Sequence, residues 1–208
     1  SSFVNRISDE NVSIADLVAD PVDVVEAMPV PGAPHDQISL PSDIYGASRC
    51  NSAGIDLSNE AQLAVLATVL QESAGETWNV GPLVAEGDAV GESRPVLNPA
   101  DHGDVIGQVT ELDAGEAARL VRIAADHATA WAETPPAERA ACLDRAADLM
   151  QGKIEVLMGI AMREAGKSAA NAIGEVREAI DFLRYYADQA RRTLGAAHLP
   201  LGPVVCIS

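Results

Sequence analysis

The helical run over residues 113–194 most constrains what this chain can fold into, because it holds most of the periodic apolar positions. Ile173, Val176, Ile180, Leu183, Ala187 and Leu194 recur at spacings of three, four and seven, which predicts one buried helix face. Arg177, Asp181, Arg184 and Asp188 fall between them and should face solvent or a neighbouring element, so truncating Arg177 is expected to be milder than altering Leu183. Upstream, Asp113 and Glu116 form a capping-box pattern, followed by Ala117, Leu120, Ala124, Ala128 and Trp131 at helical spacing. Thr134 before Pro135 opens a further helix with a buried stripe of Leu143, Ala147, Met150, Ile154, Leu157 and Ala161, weakened locally at Gly152 and Gly159. Gly166 reads as the stop of that stripe and Lys167 as a complement to its C-terminal dipole.

Before this run the periodicity is weaker. Residues 13–21 form a short amphipathic piece stopped by proline, a second piece follows over 22–28, and Pro29, Pro31, Pro34 and Pro41 with Gly32 make 29–46 an extended connector. Asp56 or Ser58 is expected to cap a helix through Leu63, Leu66, Ala67 and Leu70 that ends at Gly75. Over 78–110 the period changes: Val96-Leu97 and residues 105–109 are β-type runs around a turn at 98–103, which is a hairpin signal. Residues 202–208 carry a buried-strand pattern that is cut short, so it should be poorly ordered without neighbours on both edges.

Fourteen Lys and Arg against thirty-one Asp and Glu give a net charge of -17, which repels a phosphate backbone or an anionic membrane and excludes nucleic acid as a partner. The longest apolar runs, such as 63–70, fall well short of the ~20 residues that span a bilayer, and residues 1–28 lack a signal pattern. A cytoplasmic protein is the expectation. Aromatic residues are only 3% of the chain, which points to helices packed through small side chains.

Cys50, Cys142 and Cys206 form no C-x-x-C pair, and His35, His102, His127 and His198 show no i, i+4 pairing, so no metal site is expected. Cys142 and Cys206 read as buried structural thiols and Cys50 as a turn residue. Gly166-Lys167-Ser168 is not a phosphate loop, because the glycine required at position 161 is Ala161 in mid-helix. No G-x-G-x-x-G is present either.

Glu164-Ala-Gly-Lys167 followed by Glu175-Val-Arg-Glu-Ala-Ile-Asp-Phe-Leu-Arg-Tyr-Tyr-Ala187 resembles the N-terminal helical part of the aldehyde dehydrogenase superfamily. Ser2-Phe-Val-Asn-Arg-Ile7, Leu40-Pro-Ser-Asp-Ile-Tyr-Gly46, Arg49-Cys-Asn-Ser-Ala-Gly-Ile-Asp-Leu57 and Asn98-Pro-Ala-Asp-His102 narrow the resemblance to the bifunctional proline utilization A family. The resemblance implies a mainly α chain with short β-hairpin strands, the N-terminal part of an aldehyde dehydrogenase-like α/β (Rossmann-variant) domain truncated at its first parallel strand. It further implies a division into 1–28, the tail of a proline dehydrogenase region; 29–77, a linker with one helix; and 78–208, the hairpin and helices of the dehydrogenase domain.

The reactions implied for the parent protein are FAD-dependent oxidation of proline to pyrroline-5-carboxylate, its hydrolysis, and NAD-dependent oxidation of glutamate semialdehyde to glutamate. That second chemistry needs a thiolate nucleophile, a carboxylate base and an amide oxyanion donor. None stands here in the family's context, so no catalytic residue is expected, and neither NAD nor FAD should bind this segment tightly. Ile207 and Ser208 precede the family's Pro-Trp-Asn stretch and are the candidate cofactor contacts, with ordinary strand residues as the open alternative. The implied partners are the remainder of the same polypeptide, proline and glutamate semialdehyde as substrates, and a second copy in a homo-oligomer. Two alternatives stay open: a stand-alone aldehyde dehydrogenase with another substrate, and a non-catalytic helical scaffold.

Overall fold

The computed structural model describes residues 7–35, 37–84, 90–195 and 197–206. It separates into two units, Ser1–Leu40 and Pro41–Ser208. In the first, helix α1 (Ile14–Leu17) is capped by Ser13, whose hydroxyl accepts from the Asp16 amide at 3.1 Å. Helix α2 (Pro21–Glu26) begins on proline and is capped by Asp20, which accepts from the Val22 amide at 2.8 Å. Neither helix has a buried residue.

The second unit opens with a 3-10 turn at Pro41–Asp43. Then come α3 (Glu60–Ala74), β1 (Trp78–Val80), β2 (Gly91–Asn98), β3 (Asp101–Leu112), α4 (Ala114–Glu133), α5 (Pro136–Gln151), α6 (Ile154–Ala165) and α7 (Ala169–Thr193). The mainly helical class with a small sheet agrees with the sequence reading. Helix α7 is the longest element, and Ala172, Ile173, Val176, Ile180 and Ala187 are buried along one side as their spacing requires. Leu183 packs partly buried against the same core, whereas Leu194 is the helix cap and is exposed, so the buried stripe ends at Ala187, about two turns earlier than expected.

The core gathers Leu66 from α3, Ala147 from α5, Ile154 and Met158 from α6, and the α7 stripe. Met158 and Ile180 are fully buried, a burial worth ~1.5–3 kcal/mol for each such side chain. Residues 143–161 do not form one continuous helix. Gly152 caps α5 and α6 restarts at Ile154. Gly159 lies inside α6 and is buried, because an added Cβ would come within 3.1 Å of Leu70 Cδ2 and 3.2 Å of Ser73 Oγ on α3. Gly159 is therefore a close-packing position against α3, where an added methyl would press on Leu70 and Ser73. Gly166 does end α6, in the left-handed region at φ 63°. Lys167 does not sit on the last carbonyls: its Nζ donates to Glu175 Oε1 of α7 at 2.5 Å.

The α3 cap is Asn59, whose side-chain oxygen accepts from the Ala61 and Gln62 amides at 3.0 and 3.1 Å. Asp56 and Ser58, the expected caps, instead bond each other one step upstream. Asp113 does cap α4, accepting from the Glu116 amide at 2.8 Å. Glu116 completes no box; it accepts from the Val90 amide at 3.3 Å and from Arg119 at 2.6 and 2.8 Å. No residue of α4 is buried, so its apolar spacing finds no core among the described residues, and Trp131 is exposed.

The sheet has the order β1-β3-β2. Strands β2 and β3 form the expected hairpin but run longer than the apolar cores that signal it, and Asn98 pairs with Asp101, so only Pro99 and Ala100 turn. Pro95 is tolerated because β2 is an edge strand. Strand β1 pairs parallel to β3, an addition that three residues are too short to signal. It approaches closely at Gly107, where a Cβ would lie 1.7 Å from the Trp78 carbonyl oxygen.

Candidate functional site

The most connected polar cluster binds the segment 49–54 to α7. Ser52 is 2% exposed; its amide donates to Asp181 Oδ1 at 2.8 Å and its hydroxyl to Asp181 Oδ2 at 2.7 Å. Arg177, one turn earlier on α7, donates from Nε to Ser52 Oγ at 3.1 Å and from Nη2 to the Ser52 carbonyl at 3.3 Å. Gln151 Oε1 accepts from the Ala53 amide at 2.8 Å, and Arg184 donates to Asp148 at 3.1 Å. Gly54 lets Arg177 in, since a Cβ there would lie 3.3 Å from its Nη1. The Arg49 guanidinium stacks 3.6 Å above the Tyr45 ring and stands 4.0 Å from Asp181. Thus Arg177, Asp181 and Arg184 do face a neighbouring element, as their position off the apolar seam implies. The cluster holds backbone in place: Ser52 is buried, and both faces of its hydroxyl are committed to Asp181 and Arg177.

A second cluster ties the hairpin to α6. Arg163 donates to Asp104 through Nε at 3.1 Å and Nη2 at 2.6 Å, and Asn98 donates to the same carboxylate at 3.0 Å. Those hydrogen bonds, Arg163 first, hold the Asp104 carboxyl below the usual carboxylate range, and the pairing raises Arg163. Next to it, a cavity of about 310 Å³ opens between the sheet and α6, with Trp78, Val96, Ile106, Ile160 and Glu164 among its walls. Arg94 and Glu111 close one side through a 2.5 Å ion pair.

The candidate cofactor contacts Ile207 and Ser208 lie outside the described residues. Residues 201–206 leading to them form no strand, and Val204 and Val205 are 72% and 77% exposed, in keeping with a strand pattern cut short of its neighbours. A parallel strand needs hydrogen-bonded neighbours, and among the described residues this segment has none. Pro200, Gly202 and Pro203 instead lie beside Ala124, His127 and Trp131 of α4. Cys142 and Cys206 are exposed rather than buried, and Cys50 is exposed as expected. Cys142 sits on the outer side of α5, where Arg145 Nη2 donates to its sulfur at 3.1 Å. Among the described residues no three His, Cys, Asp or Glu side chains gather to hold a metal. Sequence reasoning missed Ser52 as the anchor of the clamp; a serine inside a turn-rich stretch gives no signal of a partner 129 positions away.

The family model for "Aldehyde dehydrogenase family" matches residues 85–207. The chain is 59% identical over its full length to the "Bifunctional protein PutA" of Rhizobium meliloti, of which it spans 17%. Among solved structures, proline utilization A from Bdellovibrio bacteriovorus, inactivated by N-propargylglycine, is 25% identical with a TM-score of 0.65, over 92% of this chain and 19% of that one. A 1-pyrroline-5-carboxylate dehydrogenase from Thermus with bound NAD is 26% identical with a TM-score of 0.65, over 76% of this chain and 30% of that one. The chain therefore spans about a sixth of the length of the curated relatives it matches over its full length.

Proposed function

The chain belongs to the aldehyde dehydrogenase family, and from that premise we propose that it is an internal part of a bifunctional proline-catabolising oxidoreductase. The parent enzyme would oxidise proline to pyrroline-5-carboxylate with FAD and glutamate semialdehyde to glutamate with NAD. One observation carries the reading: the identity to the Rhizobium meliloti protein extends over all 208 residues, including those before the dehydrogenase family match begins at residue 85. A stand-alone aldehyde dehydrogenase offers no account of the similarity over residues 1–84.

Within that enzyme the segment is structural. Its clamps, Ser52 to Asp181 and Asp104 to Arg163, fix the linker-side segment and the hairpin on one helical body. NAD, when bound, would supply the hydride acceptor, and Ile207 and Ser208 are the residues of this chain that would lie beside it. The exposed apolar Val204 and Val205 fit a strand that pairs inside the family's nucleotide fold. The remainder of the same polypeptide is the principal partner, proline and glutamate semialdehyde are the substrates, and the enzyme works in the cytoplasm, in keeping with three unpaired cysteines.

The test is to read and express the gene on both sides of this segment. A preceding barrel, a following nucleophile-loop cysteine, proline-dependent dye reduction and semialdehyde-dependent NAD reduction are expected of the whole product. Absence of both activities from a folded, cofactor-loaded product would overturn the proposal.

A further inference from the structure

Strand pairing gathers side chains on one face of the sheet. Trp78 of β1 and Val96 of β2 both pair with Gly107 of β3, and Val80 and Arg94 both pair with Val109. Residues two apart on a strand share a face, so Glu111 joins Gly107 and Val109 there. These positions and Ile160 of α6 wall the cavity of about 310 Å³. The space survives packing because Gly107 puts no side chain between Trp78 and Val96; a Cβ there would lie 1.7 Å from the Trp78 carbonyl oxygen. The charges around it are unequally committed. Arg94 and Glu111 neutralise each other through their 2.5 Å ion pair. Glu164, one turn beyond Ile160 on α6, lines the same cavity, is exposed, and has neither ion pair nor hydrogen bond among the described residues. Trp78, half-buried, brings an aromatic ring to the wall. The result is an apolar pocket with an indole and one unmatched carboxylate, at the lower end of the size range of small-ligand sites.

We propose that this cavity binds a small organic cation, with its apolar body among Val96, Val109 and Ile160 and its positive charge between the Trp78 indole and the Glu164 carboxylate. The walls favour a body that leaves water, and the indole and the carboxylate both favour positive charge. An anion would face Glu164, could reach Arg94 only by breaking its pair with Glu111, and would approach a chain of net charge -17. A neutral apolar molecule would gain the walls and leave Glu164 unmatched. The inference rests on this cavity alone and holds whatever reaction the parent enzyme carries out.

The test is titration of the protein with three probes that share one ring: benzyltrimethylammonium, benzyl alcohol and benzoate. Binding is read from the indole N–H signal of Trp78, assigned by its loss in Trp78→Phe, with the Trp131 signal as internal control. Benzyltrimethylammonium should shift Trp78, leave Trp131 in place and bind about tenfold more tightly than benzyl alcohol, the combined worth of a cation–π contact and one surface ion pair. Benzoate should bind more weakly than either. Glu164→Gln, an exposed change, should weaken the cation about threefold and leave benzyl alcohol unchanged. Val96→Phe, which suits an edge strand and fills the space with a ring, should abolish the Trp78 shift. A Trp78 signal that ignores the cation, a neutral or anionic probe that binds as tightly, or full cation affinity in Glu164→Gln or Val96→Phe would each overturn the proposal.

Discussion

Ser52 and Asp181, 129 positions apart, are joined by a pair of hydrogen bonds of 2.8 and 2.7 Å that use both carboxylate oxygens on one residue's amide and hydroxyl. The geometry fixes the backbone of the 49–54 segment on the middle of α7 rather than merely attracting a side chain. The two donors leave water together on folding, so the carboxylate matters most for what it prevents: two buried orphan donors at one residue.

Asp181→Ala is accordingly expected to destabilise by more than one missing hydrogen bond, since each buried donor left unsatisfied costs ~1–3 kcal/mol. Asp181→Asn keeps one acceptor and should be milder. Thermal melts of the two variants check this ordering; a melting temperature unchanged in Asp181→Ala would mean that water replaces the clamp.

Arg177 shows where reading the sequence stopped short. Its place off the apolar seam of α7 was legible, and so was the choice of solvent or a neighbouring element. That the neighbour is Ser52, and that Gly54 is needed to admit the guanidinium, depends on a chain path with no local signature. The period of α7 and the cap at Asp113 are local and came out as read. The division between α5 and α6, the parallel strand β1 and the exposure of Cys142 follow from tertiary packing, which propensity does not encode. Arg177→Ala should therefore be clearly destabilising instead of mild, though less so than Ile180→Asp, which places an unpaired carboxylate at a fully buried position of the core. Urea midpoints at equal slope give the ranking; Arg177→Ala indistinguishable from the parent would return it to the solvent face.

Acid should weaken the joint between Val90 and α4. Two hydrogen bonds from Arg119 and one from the Val90 amide hold the Glu116 carboxyl down at about 2, against an ordinary value of 4.5. A folded value below the unfolded one means that the unfolded chain binds the extra proton first. The contribution is therefore complete above pH 4.5 and fades as pH falls toward about 2. Glu116→Gln should remove that portion of the pH dependence, read as the difference between the two proteins' stability curves, because Asp104 and Glu111 are also lowered and remain in both. Parallel curves through this window would show that Glu116 has the same proton affinity folded and unfolded.

Gly159 sets the distance between α3 and α6. Replacing it with alanine gains roughly 0.8–1.0 kcal/mol of helix propensity, set against contacts of 3.1 and 3.2 Å that Leu70 and Ser73 must relieve, so the two effects should nearly cancel. Gly159→Val adds two further carbons and loses part of the propensity gain, and it should force the helices apart. Proteolysis within residues 60–74 should rise in the valine variant and not in the alanine one. Equal protection in both would mean that α3 adjusts without cost.

The exposed run at 203–206 yields the last prediction. Val204 and Val205 are β-branched and apolar, yet their surroundings provide neither a second strand nor a covering helix among the described residues. Amide exchange should therefore be fast at Val204, Val205 and Cys206, and slow along Ile173, Val176 and Ile180, where helix bonds are shielded by the core. In a protein extended by a downstream nucleotide-binding region, the same three amides should become protected as they acquire neighbours on both edges, and NAD should slow them further. The helix amides should change little, because their protection comes from α3, α5 and α6, which are already in place. Protection at 204–206 that is equally strong with and without the downstream region would show that these residues pair within the 208, and the reading of this run as the first parallel strand of a larger sheet would fall.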